Sequence, residues 1–398
     1  MLFTAGEIEC SPADVGYDES RIEALHRHFQ RLMDENKIQC ASYCVSRHGK
    51  IFMYGAVGPK SFEDPSIPLQ PDSINFIASM TKPFTATAIM QLVENGLTRL
   101  DVTVGSILPE FANPPFDTIT IVQLLTHTAG LPPDEGCFPN EYELSPWDAI
   151  SGGFNLHKPD SDKPFDWIAA VLSLGLRDKP GKQWMYSTIG YAILGAIIEK
   201  LTGVFAHTYI EENIIKPLGL KDTFFTPPVD KLDRYIVSRD FDRRLKDLRE
   251  ELTGVTTPTP EDQMWYTIPA TGHGLSSTPY DFNRFGNAFL NGGRLDGARI
   301  LGRKTVEKMT TVASALPNYC WGADGTRRLY GVGFDMIDTV QFTYSKGTFS
   351  HEGWGYVDLI IDKQEEMVSA VFVPFADPDT FQPEALYGTQ NVIWSGLV

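Results

Sequence analysis

Two short strand-like runs, Ala41–Ser46 and Ile51–Tyr54, stand by themselves near the start of the chain, and the sequence turns strand-like again only from about residue 329. They are joined by Arg47-His48-Gly49-Lys50, a hairpin signature. An isolated hairpin is marginal in water, so it needs partners. The runs that can supply them are Leu329–Met336, Asp338–Phe342, Tyr356–Ile361 and Met367–Phe372. One antiparallel sheet drawn from both ends makes the middle of the chain an insertion. The expected division is a sheet subdomain of 1–75 and 280–398 and a mostly helical subdomain of 76–279, with the site in their seam. The 398 residues exceed what a single core usually supports, which agrees with that division.

Helical periodicity fills the rest. Residues 18–36 place Ile22, Leu25, Phe29 and Leu32 on one face. A helix beginning near Ser79 carries Ala86, Ile89, Met90, Val93 and Leu97 on one face and stops at Asn95-Gly96. Ile121–Leu125 and Thr188–Leu201 are the clearest helices of the middle, the second ending at Gly203. Another follows Pro279 and ends at Asn291-Gly292-Gly293, and a last one is expected around Pro383–Leu397. The segment 59–73 reads as loop, and the charged stretch 229–262 as a solvated surface excursion or a lid over the site.

Charge removes several function classes. Lys+Arg 34 against Asp+Glu 51 gives a net charge of −17, which repels nucleic acid and anionic membrane. No apolar run is long enough to span a bilayer, and MLFTAGEIEC lacks the basic and apolar regions of a signal peptide. A cytoplasmic location is the expectation. Five cysteines without a tight C-x-x-C pair fit neither a disulfide framework nor a zinc site. The eight histidines show no ligand spacing and no H-E-x-x-H, so no metal and no cofactor are expected. No G-x-S-x-G elbow is present, which disfavours the α/β-hydrolase route to a serine esterase.

Three short motifs carry chemistry. In Ser79-Met80-Thr81-Lys82 the serine and lysine are three apart and share a helix face. A buried lysine that loses its charge can take the serine proton. Tyr186-Ser187-Thr188 stands directly before a helix, where a phenol could shuttle a proton. His351-Glu352-Gly353-Trp354 lies in the strand-rich end, where a strand edge can offer a backbone N–H to an oxyanion. The other Lys/His-x-Gly sequence, Lys179-Pro180-Gly181, belongs to a turn. Each motif alone is weak, and taken singly a surface Ser–Lys pair or a packing tyrosine is the better explanation.

Together, and in this order, the motifs resemble the serine β-lactamase and penicillin-binding-protein superfamily, in its class C-like branch of esterases, D-aminopeptidases and acyltransferases. The likeness extends to Leu124-Leu125-Thr126-His127-Thr128-Ala129-Gly130-Leu131, Pro217-Leu218-Gly219-Leu220 and Gly274-Leu275-Ser276-Ser277-Thr278. It implies an α/β serine β-lactamase-like fold: a mainly antiparallel sheet flanked by helices, plus a mostly helical inserted subdomain. It implies Ser79 as acylated nucleophile, Lys82 as base and Tyr186 as acid/base partner. The oxyanion hole would be the backbone N–H groups of Ser79 and Trp354, with Gly353, His351 and Thr188 on the substrate side. His127 looks structural in this setting, and His273 merely polar. Two departures stand out: Thr188 replaces the usual Asn, and His351-Glu352-Gly353 replaces Lys-Thr-Gly. Both favour a small acyl ester over a β-lactam; a β-lactamase or D-amino-acid peptidase is the alternative, and acyl transfer and a non-catalytic binding protein are the further readings. Trp184, Trp265, Tyr266, Trp354 and Tyr356 would suit an apolar acyl pocket or simple core packing.

Overall fold

Both ends of the chain feed one antiparallel sheet, which has nine strands among the described residues. The computed structural model describes residues 2–135, 137, 145–151, 166–238, 268–337, 342–354, 356–374 and 381–398. In spatial order the strands are Phe3–Ala5, Lys50–Val57, Ala41–Arg47, Met367–Phe372, Val357–Asp362, Phe349–Gly353, Asp335–Met336, Thr326–Tyr330 and Ser314–Asn318. The N-terminal hairpin joins the C-terminal strands in the register Ser42↔Phe372 to Arg47↔Met367. The central strands are buried along their length, Arg47 at one strand end excepted, as a sheet covered on both faces requires.

One face packs against the helix Ser20–Asp34 and the C-terminal helix Thr389–Trp394, around Phe29, Tyr43, Phe52, Val371 and Ile393. The other face carries the helix Pro279–Leu290. That helix sits close because Gly286 has no side chain: a Cβ there would lie 2.5 Å from Val368 Cγ1. Asn283, on the same helix, donates from Nδ2 to the carbonyls of Cys44 (3.2 Å) and Val368 (3.0 Å), which ties the helix to the strands and satisfies a buried amide.

The helix Lys82–Glu94 differs from the one-sided helix that periodicity suggests. Every residue from Lys82 to Leu92 is buried, so it is enclosed on all sides. Leu97, expected on its apolar face, lies past its end and is 52% exposed. Around this helix one continuous apolar cluster runs from Ile193 and Ile197 of the helix Thr188–Thr202 through Phe84 and Ile89 to Leu359 and Phe372 of the sheet. The helical middle and the sheet therefore share a core.

Other expectations shift in detail. The run Leu329–Met336 is split at 331–334, where Gly333 takes φ 84°. Of Asp338–Phe342, residues 338–341 lie outside the described residues, and Phe342 sits in a bend. Within 229–262, Val229–Arg234 forms a short 3-10 helix whose Arg234 pairs with Asp222 at 2.7 Å, and the remainder beyond 238, lid reading included, lies outside the described residues. No single helix among the described residues is long and apolar enough to cross a membrane.

Candidate active site

Ser79 sits in a 3-10 turn, Ala78–Thr81, that runs directly into the helix Lys82–Glu94. Ala78 has φ 44°, a left-handed backbone that costs a residue with a Cβ about 1–2 kcal/mol. The segment around Leu275 holds it there. Asn75–Phe76 pairs with Ser276–Ser277, the Ile77 N–H donates to Leu275 O (3.1 Å), and the Leu275 N–H donates to Thr81 Oγ1 (3.1 Å). Thr81 in turn donates to Ala78 O at 2.8 Å. A strained, braced turn leaves Ser79 half-buried at its apex.

Lys82 is fully buried, and its ammonium makes three contacts: Ser79 Oγ, Thr188 Oγ1 and Gly272 O, each at 3.0 Å. Burial lowers its pKa from 10.5 to about 8, opposed by the charge of Asp134. Tyr186 completes the group from the segment before the helix Thr188–Thr202. Its ring lies 4.7 Å from Lys82 Nζ and its hydroxyl hydrogen-bonds Ser79. Burial, then the charge of Asp134, pushes the phenol well above its ordinary value, so it stays protonated at neutral pH.

Asp134 is the residue that sequence spacing did not reveal. It follows Leu131-Pro132-Pro133, remote in sequence from all three motifs. Its Oδ1 accepts from the Thr188 N–H and its Oδ2 from the Thr188 hydroxyl, both at 2.6 Å. A carboxylate at that helix N-terminus also faces the positive end of the helix dipole. Thr188, expected on the substrate side, is only 2% exposed, and its hydroxyl is shared between Lys82 and Asp134.

His127 backs Tyr186. The ring centroids are 4.3 Å apart, and His127 Nδ1 accepts from the Ser187 N–H at 3.1 Å. Burial, together with the Lys82 charge, holds this imidazole neutral. His273 packs edge-on against Trp147 at 4.6 Å.

The strand Phe349–Gly353 closes the other side. Gly353 approaches the Ser79 turn so closely that a Cβ would lie 2.2 Å from Ile77 O and 3.2 Å from Met80 N. The next residue, Trp354, is 66% exposed, so its ring does not form a buried apolar wall. His351 is 2% exposed, and its Nδ1 donates to Glu352 O at 2.7 Å. Burial and the neighbouring Lys82 charge lower its pKa to about 3. It is thus neutral at physiological pH. The nearby cation Arg328, 5.2 Å over the Trp184 ring, is paired with Asp335 at 2.7 Å.

Of the five aromatic residues that would suit an acyl pocket or core packing, Trp354 and Tyr356 have ring centroids 6.0 Å apart. Trp184 and Tyr356 are buried in separate clusters, Trp354 faces solvent, and Trp265 and Tyr266 lie outside the described residues. Among the described residues no group of three or more His, Cys, Asp or Glu could hold a metal ion.

Residues 25–389 match the family described as Beta-lactamase. The chain belongs to that family. A curated relative from Escherichia coli (strain K12), named "Putative D-alanyl-D-alanine carboxypeptidase", is 25% identical over 96% of this chain and 91% of its own length. The fold is that of the serine β-lactamases and penicillin-binding proteins. EstCE1, described as a hydrolase with promiscuous acyltransferase activity, superposes with a TM-score of 0.73 at 20% identity, covering 95% of this chain and 99% of that one. A family VIII carboxylesterase gives 0.67 at 21% identity, covering 96% and 100%. Proteins of this family that act as serine hydrolases include esterases, β-lactamases and penicillin-binding proteins, and this chain is an enzyme of that kind.

Proposed function

We propose that the protein hydrolyses small acyl esters through an acyl-enzyme on Ser79. The observation that carries this is the 3.0 Å contact between Ser79 Oγ and a fully buried Lys82 whose pKa is lowered to about 8. At pH 7 about a tenth of such lysines are neutral, enough to act as base. Ser79 Oγ attacks the ester carbonyl as its proton passes to Lys82 Nζ. The oxyanion rests on the backbone N–H groups of Ser79 and Trp354, with Gly353 keeping that edge close to the turn. Tyr186, protonated and bonded to Ser79, delivers a proton to the departing alkoxide. Water then enters and the same groups release the acid.

Ester selectivity rests on His351. A neutral imidazole at that position offers no charge to the carboxylate of a β-lactam or a peptide C-terminus. The carboxylesterase neighbour supports the same direction. A D-amino-acid peptidase is the second reading, favoured by the name of the Escherichia coli relative. A neutral small-molecule substrate suits a chain of net charge −17, with neither nucleic acid nor membrane as partner. Five free cysteines support a reducing, cytoplasmic setting.

Parallel assays of the wild type on p-nitrophenyl butyrate, nitrocefin and a D-alanyl-D-alanine peptide decide among these. The ester should be turned over at least about 100-fold faster in kcat/KM, a difference of ~2.7 kcal/mol in transition-state binding. Preference for nitrocefin or the peptide would reverse the assignment.

A further inference from the structure

Beside Tyr186 lies a pair of buried thiols that the proposed reaction does not use. Cys137 comes three residues after Asp134, and Cys320 sits in the turn after the edge strand Ser314–Asn318. They belong to one small cluster with Trp184 and Tyr330, and each thiol is the largest single influence on the titration of the other. Backbone hydrogen bonds tie the turn at 320 to Cys137 and the strand before it to the segment of Trp184. The Trp321 N–H donates to Cys137 O (3.3 Å), and the Trp184 N–H donates to Pro317 O (2.8 Å). Between them runs the Tyr186 peptide. Its carbonyl accepts from Cys137 Sγ at 4.0 Å and from the Asp134 N–H at 2.9 Å, and its backbone also bonds to Cys320.

We infer that Cys137 and Cys320 are a peroxide-oxidisable dithiol, whose disulfide staples the Asp134-bearing segment to the turn at 320 across the backbone of Tyr186. The Cys320 thiolate attacks one peroxide oxygen, giving a sulfenic acid and releasing hydroxide. Cys137 then attacks that sulfur, the S–O bond breaks, and the oxygen leaves as water. Two thiols lose two electrons and two protons, and one peroxide becomes two waters.

Three observations set this pair apart from the other cysteines. The neighbouring Cys137 thiol lowers the Cys320 pKa against the effect of burial, which favours its thiolate. Burial pushes the Cys40 thiol up, burial with the charges of Glu9 and Asp281 pushes Cys44 up, and Cys10 is raised chiefly by burial as well. Cys320 is also flanked in sequence by Tyr319 and Trp321, which are 47% and 55% exposed.

The test uses the full chain, reduced, desalted and exposed to equimolar hydrogen peroxide. Remaining thiols are then blocked with N-ethylmaleimide under denaturant, and the protein is digested and mapped without reductant. The maleimide count should fall from the five cysteines present to three, the two of the pair being lost. One cross-linked peptide should join Cys137 to Cys320, lighter by two hydrogens than its halves, and dithiothreitol should separate it. Cys137→Ser and Cys320→Ser should each abolish that peptide; if either variant misfolds, the wild-type map decides alone. Five reactive thiols after peroxide, a different pair, or only sulfinic and sulfonic acid at Cys320 would overturn the inference. The readout is a mass, so it stands or falls independently of whether Ser79 is the nucleophile.

Discussion

Lys82 and Asp134 are joined through a single hydroxyl, that of Thr188, which lies 3.0 Å from the ammonium and 2.6 Å from the carboxylate. The pair is thereby coupled without forming a direct ion pair. A contact ion pair would hold the lysine charged and useless as a base, whereas an isolated buried ammonium would carry an unrelieved desolvation penalty. The intervening hydroxyl sets an intermediate state, and the consequences can be measured.

Thr188→Val removes the hydroxyl while keeping the shape. Loss of a buried hydrogen bond to charged groups costs about 1.5–3 kcal/mol, so kcat should fall about 10- to 100-fold with KM little changed. Thr188→Ser should restore most of it. An unchanged kcat in the valine variant would show that the hydroxyl does not position Lys82.

The activity of the wild type should rise with pH and level off above about 8, because the working form of Lys82 is the neutral one. Its pKa is lowered from 10.5, and the Asp134 charge is what opposes the lowering. Asp134→Asn should therefore move the rising limb of kcat/KM to lower pH. A limb that stays in place, or moves up, would mean that Asp134 does not act on the base.

Tyr186→Phe keeps the ring over Lys82 Nζ at 4.7 Å and deletes only the hydroxyl bonded to Ser79. A lost proton donor of this kind is worth about 100-fold or more in rate. Steady-state kinetics should show that loss in kcat, with an unaltered melting temperature. A variant that unfolds instead would reassign Tyr186 to packing.

Gly353→Ala is a steric test of the strand beside the Ser79 turn. The new Cβ would sit 2.2 Å from Ile77 O, a contact that forces the strand edge and the turn apart. Overpacking of this sort typically costs about 1–3 kcal/mol, and the displaced Trp354 N–H should lower kcat more than it lowers stability. Comparable activity in the alanine variant would exclude that edge as an oxyanion donor.

How much of this was legible in the sequence depends on range. The hairpin turn Arg47-His48-Gly49-Lys50 and the helix stop at Gly203, φ 75°, are local signals and appear as read. The short range of Ser79 to Lys82 made that pair readable too. Asp134 was not, because its role arises only when a loop folds onto a helix N-terminus 54 positions away. The all-round burial of the helix Lys82–Glu94 was also hidden: its threonines, Gln91 and Lys82 look polar in sequence, yet find partners such as Thr271 O, Asn213 O and Gly272 O inside. The edge strands Phe3–Ala5 and Ser314–Asn318 escaped because one is three residues long and the other contains Pro317, which a central strand would not tolerate.

The most direct test of the central claim is the site of covalent labelling. The wild type treated with a fluorophosphonate, then digested and sequenced by mass spectrometry, should carry the phosphonyl group on Ser79 alone, and Ser79→Ala should remain unlabelled and inactive on p-nitrophenyl butyrate. Labelling at another residue, or ester turnover surviving in Ser79→Ala, would contradict the account.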